Sequence, residues 1–198
     1  MKTLYRYFLQ SPKISTLCVM TFASLIFNLW ISQVLTNNYA ASRFPVPYYV
    51  AQLSFNPEKI KAWYAYLIEQ GSFAQYIHTQ HVDSLFIIST IFFHTLALVL
   101  ISRLFFSETK GRKVMVVCAL LAAIAPISDQ LENCIAYLML ANPANFPGVL
   151  AYIYSSFAAI KFAMFVFAYV TALVGIIAGI VLRIKRYVEL RPGATQRN

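Results

Sequence analysis

Four long apolar runs constrain this chain more than any other feature: residues 14–35, 82–106, 114–140 and 149–184. A helix needs about 20 apolar residues to cross a ~30 Å hydrocarbon core, so each run is long enough to span a bilayer. The third and fourth are longer than needed and must tilt or project beyond it. Charged residues make up only 12% of the 198 positions, about half the share of a soluble domain. These figures exclude an ordinary soluble enzyme, a disordered chain and a disulfide-stapled secreted domain. The fold class expected is all-α: a polytopic membrane protein forming a four-transmembrane-helix bundle as a single membrane domain.

The net charge of +9 suggests nucleic acid until the positions of the charges are considered. Lys2, Arg6 and Lys13 precede the first run; Arg103, Lys110, Arg112 and Lys113 separate the second from the third; Arg183, Lys185, Arg186, Arg191 and Arg197 follow the fourth. All of these fall on one side of the membrane, against Arg43, Lys59 and Lys61 on the other. That asymmetry is the positive-inside pattern and places both termini in the cytoplasm. The partners it implies are anionic lipid headgroups rather than nucleic acid. Cys18, Cys118 and Cys134 sit in apolar stretches at no metal or redox spacing and read as small buried hydrophobes.

The basic flank of 14–35 resembles a signal peptide, but the run exceeds a signal's ~7–15 apolar residues and no small-residue cleavage site follows, so a retained helix is expected. The turn from Asn142 to Gly148 holds two prolines and makes the last two spans an antiparallel hairpin. Residues 37–81 form the one sizeable extramembrane segment. Pro45 and Pro47 imply an irregular stretch. Asn56-Pro57-Glu58 is a helix start, Gly71 a stop, and Ile60, Trp63, Tyr64, Leu67 and Ile68 recur between them at helical spacing. A short amphipathic helix over 57–70 is therefore expected, lying in the headgroup region or capping the bundle, and the presence of only two lysines on its polar face favours the cap. Ser72 with Gln75 reads as a capping box starting a helix that runs into the second span. Residues 191–198 read as a polar tail.

Polar side chains inside spans are costly and mark candidate functional sites. Asp129, Glu132 and Asn133 are three and four apart in the third run and share a face. Tyr76, Gln80, Asp83, Thr90 and His94 lie within about 80° of arc on the second helix. Thr21, Ser24, Asn28 and Ser32 share a face of the first. Tyr154, Ala158, Lys161 and Ala168 share one on the fourth, with Ser155 and Ser156 on an adjacent stripe. Counting ~20 residues inward from the cytoplasmic ends puts Glu132 and Lys161 near the outer boundary, level with Asp83. One outward-facing site is expected, with Asp129, Glu132 and Lys161 as candidate catalytic residues and Tyr76, Gln80, Asp83, Asn133, Ser155 and Ser156 as candidate ligand contacts.

Three acids against one lysine leave excess negative charge. Either one acid is protonated or a cation or basic ligand group completes the site. One protonated and one ionised member of the Asp129–Glu132 pair would suit acid–base chemistry. The alternative is a structural cluster that fixes helix register. No metal is expected: His78 and His81 are three apart, but Asp83 points away from them. His94 reads as a hydrogen-bonded core histidine, with no second axial ligand for a haem. No cofactor is expected. Gly175-Ile176-Ile177-Ala178-Gly179 matches a small-residue motif that reads first as helix packing within the bundle, with a contact for a second copy or a partner membrane protein as the alternative.

Tyr76-x-x-x-Gln80-x-x-Asp83, Asp129-x-x-Glu132-Asn133, Ser155-Ser156 with Lys161, and Asn56-Pro57-Glu58 together resemble a group of bacterial four-span membrane proteins that carry no assigned activity. The resemblance covers about residues 50–175 and implies a location in the bacterial inner (plasma) membrane. In architecture alone the chain is also similar to sterol-isomerase and EXPERA-type bundles, which accept lipid-like molecules. The function expected is binding of, or action on, a lipid-like or amphipathic molecule. A non-catalytic subunit of a membrane complex is the alternative. Ion or proton transport would need an oligomer, because four spans are few and no ionisable residue continues a path beyond the outer half.

Overall fold

The computed structural model describes residues 2–190; the polar tail at 191–198 lies outside them. The helices are α1 (Lys2–Gln10), α2 (Ile14–Ala41), α3 (Tyr48–Gln52), α4 (Pro57–Glu69), α5 (Phe73–Ser102), α6 (Lys110–Ala122), α7 (Ile124–Leu140) and α8 (Gly148–Glu189). No strand occurs among the described residues. Four stretches are long and apolar enough to cross a membrane: α2, α5, α6 with α7, and α8. α2 packs along α5, and α7 along α8, while α2 and α8 do not pack along each other.

Several boundaries differ from the sequence reading for local reasons. α2 continues to Ala41 rather than stopping at 35. Asn38, which reads as loop, accepts a hydrogen bond from Gln75 Nε2 and lies 3.0 Å from His78 Nδ1, so polar contacts with α5 carry the helix past its apolar run. The irregular stretch contains the one-turn α3, started by Pro47. α1 was not expected. Its C-terminal carbonyls are held by Arg103, which donates to Leu9 O and Ser11 O, and by Arg112, which donates to Leu9 O.

The third span is interrupted at Ala123. Pro126 has no N–H to offer the Ala122 carbonyl, and its ring crowds that oxygen. The break falls somewhat less than two turns before Asp129.

α4 forms as expected: Asn56 Oδ1 accepts from Lys59 N at 3.1 Å, with Pro57 at the first helical position. The Ser72 capping box does not form. Gly71 turns left-handed at φ 65°, Gly71 N donates to Ile68 O and Ser72 N to Leu67 O. These bonds close α4 in a Schellman motif. They hold Ser72 at φ −105°, ψ 4°, away from the extended conformation an N-cap requires.

Ile60, Tyr64 and Leu67 of α4 pack under α5, α7 and α8 with Tyr76, Met139, Phe146 and Tyr154. α4 is thus a cap, as its apolar face predicts. A second apolar cluster, including Leu17, Val99, Met115, Ala119 and Ala168, holds the opposite, basic end. The polar residues of the spans lie between these two clusters.

Candidate functional site

A cavity of about 710 Å³ lies between α2, α5 and α8, with α3 at one end. That volume falls in the ~300–1,000 Å³ range of small-molecule sites. α5 forms its floor through Tyr76, Thr79, Gln80, Asp83, Thr90 and His94. Its rims are Leu29 on α2 and Val166 on α8, which are 60% and 62% exposed although both line it. The cavity therefore opens sideways, through the gap between α2 and α8.

One part of the lining is polar. Lys161 Nζ, on α8, lies 2.8 Å from Asp129 Oδ1 and 2.6 Å from Glu132 Oε2, both on α7. Alongside runs a relay of amides: Gln80 Nε2 donates to Asn133 Oδ1, and Asn133 Nδ2 donates to Asp83 Oδ2 at 2.6 Å. Helical spacing creates this: Asp129, Glu132 and Asn133 face one way on α7, so α7 meets α8 through two carboxylates and α5 through an amide. Asp83 has no cationic partner within ion-pair distance among the described residues.

The structure sorts the expected site residues. Lys161, Asp129, Asp83, Gln80 and Tyr76 line the cavity together, as does Tyr154. Tyr76 and Tyr154 are each only 4% exposed, and neither hydroxyl takes part in a hydrogen bond among the described residues. Glu132 and Asn133 are not part of the lining. Glu132 is fully buried behind Lys161, and its Oε1 has no hydrogen-bond partner among the described residues. It reaches the cavity only through the lysine in front of it.

Ser155 and Ser156 are not at the cavity either. Ser155 is buried and its Oγ accepts from Phe55 N at 3.1 Å, fixing the strained α3–α4 connection where Phe55 has φ 46°. Ser156 is exposed and donates to its own helix at Tyr152 O. Adjacent in sequence, the two point about 100° apart.

Other expectations are corrected. His94 is not a hydrogen-bonded core histidine. It lines the cavity, and its Nδ1 is buried with no hydrogen-bond partner among the described residues. Gly175 and Gly179 face inward: a Cβ on Gly179 would come within 2.5 Å of Leu104 Cβ, and one on Gly175 within 2.7 Å of Met115 Cε. Here the helix-packing reading of the motif holds: the small residues admit Ile101 and Met115 at Gly175 and Leu104 at Gly179. Cys18 and Cys134 are exposed on the bundle surface rather than buried. His78 and His81 are in separate contacts, with Asn38 and Tyr137, and no group of three metal-ligating side chains occurs among the described residues.

The sequence reading finds a polar face on the first helix but does not bring it to the site. Asn28, Ser32 and Thr36 line the cavity opposite α5, whereas Thr21 and Ser24 bond carbonyls of their own helix. The aromatic wall of Phe93, Phe162 and Phe165 also escaped it, since aromatic residues in a membrane span give no signal that separates lining from lipid contact. Above the site, burial pushes the Tyr64 phenol above its ordinary range, with the nearby Glu132 charge as a smaller cause.

Searches of protein-family models, curated proteins and solved structures return no match to this chain.

Proposed function

We propose that this chain is an integral membrane protein that takes an amphipathic, lipid-like molecule from the bilayer into the cleft between α2 and α8. The observation that carries this reading is the cavity's composition. One elongated, laterally open space joins a polar wall of Asp83, Asp129 and Lys161 to an aromatic wall of Phe93, Phe162 and Phe165. An apolar chain enters a site of that kind sideways and leaves its polar group against the charged wall. Lys161 already faces two carboxylates, so an anionic headgroup would meet repulsion from Asp83 and Asp129 rather than a free cation. A neutral or positively charged head fits. The positive-inside pattern puts the basic end of the bundle in the cytoplasm and the polar wall toward the outer leaflet.

Photolabelling tests this. A fatty amine with a diazirine in its chain, added to the protein in mixed micelles, should label Phe93, Phe162 and Phe165 preferentially. Ser32→Trp, which fills the cavity from α2, should suppress that labelling. Labelling spread evenly over the lipid-facing Leu173 and Leu182, unchanged by Ser32→Trp, would refute the proposal.

A further inference from the structure

The far end of the same cavity holds a polar group that neither the fold nor the charged wall uses. His94 is buried to 9% exposure and lines the cavity. Nδ1 is sealed off without a partner, Nε2 is not sealed off, and no hydrogen bond among the described residues involves either, so Nε2 is the atom a bound molecule can reach. The ring is held in place by aromatic neighbours. Phe165 and Tyr169 meet it edge to face at 5.6 and 5.4 Å between centroids, and Phe93 lies 5.4 Å away. Those rings orient the imidazole and leave its nitrogens unsatisfied, and an unmet polar group in an apolar wall is costly. A phenylalanine would pack there without that cost.

We infer that His94 forms a second polar subsite, so that the molecule bound here carries a hydrogen-bonding group at the far end of its apolar body as well as a polar head. This rests on the amphiphile reading and narrows it to a long molecule functionalised at both ends. Helical rise sets the separation: from Asp83 to His94 along α5 is roughly 16 Å. The chain between them runs past Phe86 and Phe93 on α5 and Phe162 and Phe165 on α8. A terminal hydroxyl suits the subsite best, because it donates or accepts and so matches either neutral imidazole tautomer.

Two probes that differ in one group decide the matter: dodecylamine, and aminododecanol bearing its hydroxyl at the far end. Competition for the purified protein, read by native mass spectrometry, should favour aminododecanol by about threefold to tenfold, the worth of one net hydrogen bond. His94→Phe should abolish that preference and keep dodecylamine binding. In wild-type protein with ¹⁵N-labelled histidine, the His94 ring resonances should shift with aminododecanol and not with dodecylamine. His78 and His81, which do not line the cavity, serve as internal controls. This readout needs no variant and decides the question if His94→Phe fails to fold. Equal retention of the two probes, or a preference that survives in His94→Phe, would overturn the second subsite and leave the amphiphile reading intact. Failure of both probes to bind would overturn both.

Discussion

Glu132 Oε2 lies 2.6 Å from Lys161 Nζ, yet only the lysine reaches the cavity, while the carboxylate is wholly enclosed behind it. Removing one member of a buried pair costs more than removing both, because the survivor keeps its desolvation penalty without compensation. Lys161→Met leaves Asp129 and Glu132 facing each other and should destabilise the protein by about 3–5 kcal/mol. Glu132→Gln keeps an acceptor for Nζ while Asp129 retains the countercharge, and should cost about 1–3 kcal/mol. Adding Glu132→Gln to Lys161→Met should recover part of the loss. Unfolding of the three variants in a common detergent checks the order; strict additivity would show that the pair is not coupled.

The two glycines of α8 should respond differently to the same added methyl. At Gly175 the obstructing atoms are Met115 Cε and Sδ, the free end of a flexible side chain, with Ile101 Cγ2 at 3.0 Å. At Gly179 the obstruction is Leu104 Cβ, fixed to the backbone. Arg183 binds the same corner by donating to Leu104 O and Arg103 O. Gly175→Ala should therefore stay within about 1 kcal/mol of wild type, helped by the better helix propensity of alanine. Gly179→Ala should cost about 1–3 kcal/mol as α8 is pushed off the α5–α6 connection. Thermal melts of the two single variants suffice, and equal losses would contradict the inward packing.

What was legible in the sequence and what was not divide along physical lines. Hydropathy marks the four spans because lipid demands long apolar helices. Spacing marks the shared face of Asp129, Glu132 and Asn133 because helical geometry is fixed. The meeting of Asp129, Glu132 and Lys161 was legible from depth alone. Depth could not tell which group faces the cavity and which stands behind, so Glu132 and Asn133 read as ligand-facing while they back the wall. Sequence places Ser155 and Ser156 side by side, although adjacent residues on a helix diverge by about 100°. Hydropathy is blind to Pro126, whose effect, a break before Asp129, follows from its missing N–H. α1 was invisible because its anchors are arginines about a hundred residues away.

Those anchors make α1 separable from the rest. Arg103 reaches Leu9 O at 2.8 Å and Ser11 O at 2.9 Å, while Arg112 adds a single bond to Leu9 O at 2.6 Å. Arg103→Gln should release the C-terminal turn of α1 and Arg112→Gln should loosen it less. Amide exchange over residues 4–11 should quicken by about tenfold or more in the first variant, as about two charge-assisted hydrogen bonds are lost. The exchange of α5 through α8 should be unchanged. Uniform acceleration across the chain would mean that Arg103 supports the whole bundle rather than this element.

α2 offers the last test, because so little of it is buried. Leu17 and Ile31 are its buried residues, and the helix is bounded by the cavity where it faces α8. Beside its packing along α5, polar contacts tie the two helices: Asn28 Nδ2 donates to Ser89 Oγ and Thr90 Oγ1, both at 2.9 Å, and Asn38 Oδ1 accepts from Gln75 Nε2 at 3.0 Å. Interhelical hydrogen bonds in membranes contribute about 0.6 kcal/mol on average and up to about 1.7, so Asn28→Leu should cost about 1–2 kcal/mol and Asn38→Leu less. Because the cavity lies beside this seam, a loosened α2 should also widen the cleft. Spin labels on the exposed Phe22 of α2 and Leu85 of α5 should report a broader distance distribution in Asn28→Leu, and broader again with Asn38→Leu added. An unchanged distribution in the double variant would show that dispersion along the apolar seam, rather than these amides, fixes the wall of the site.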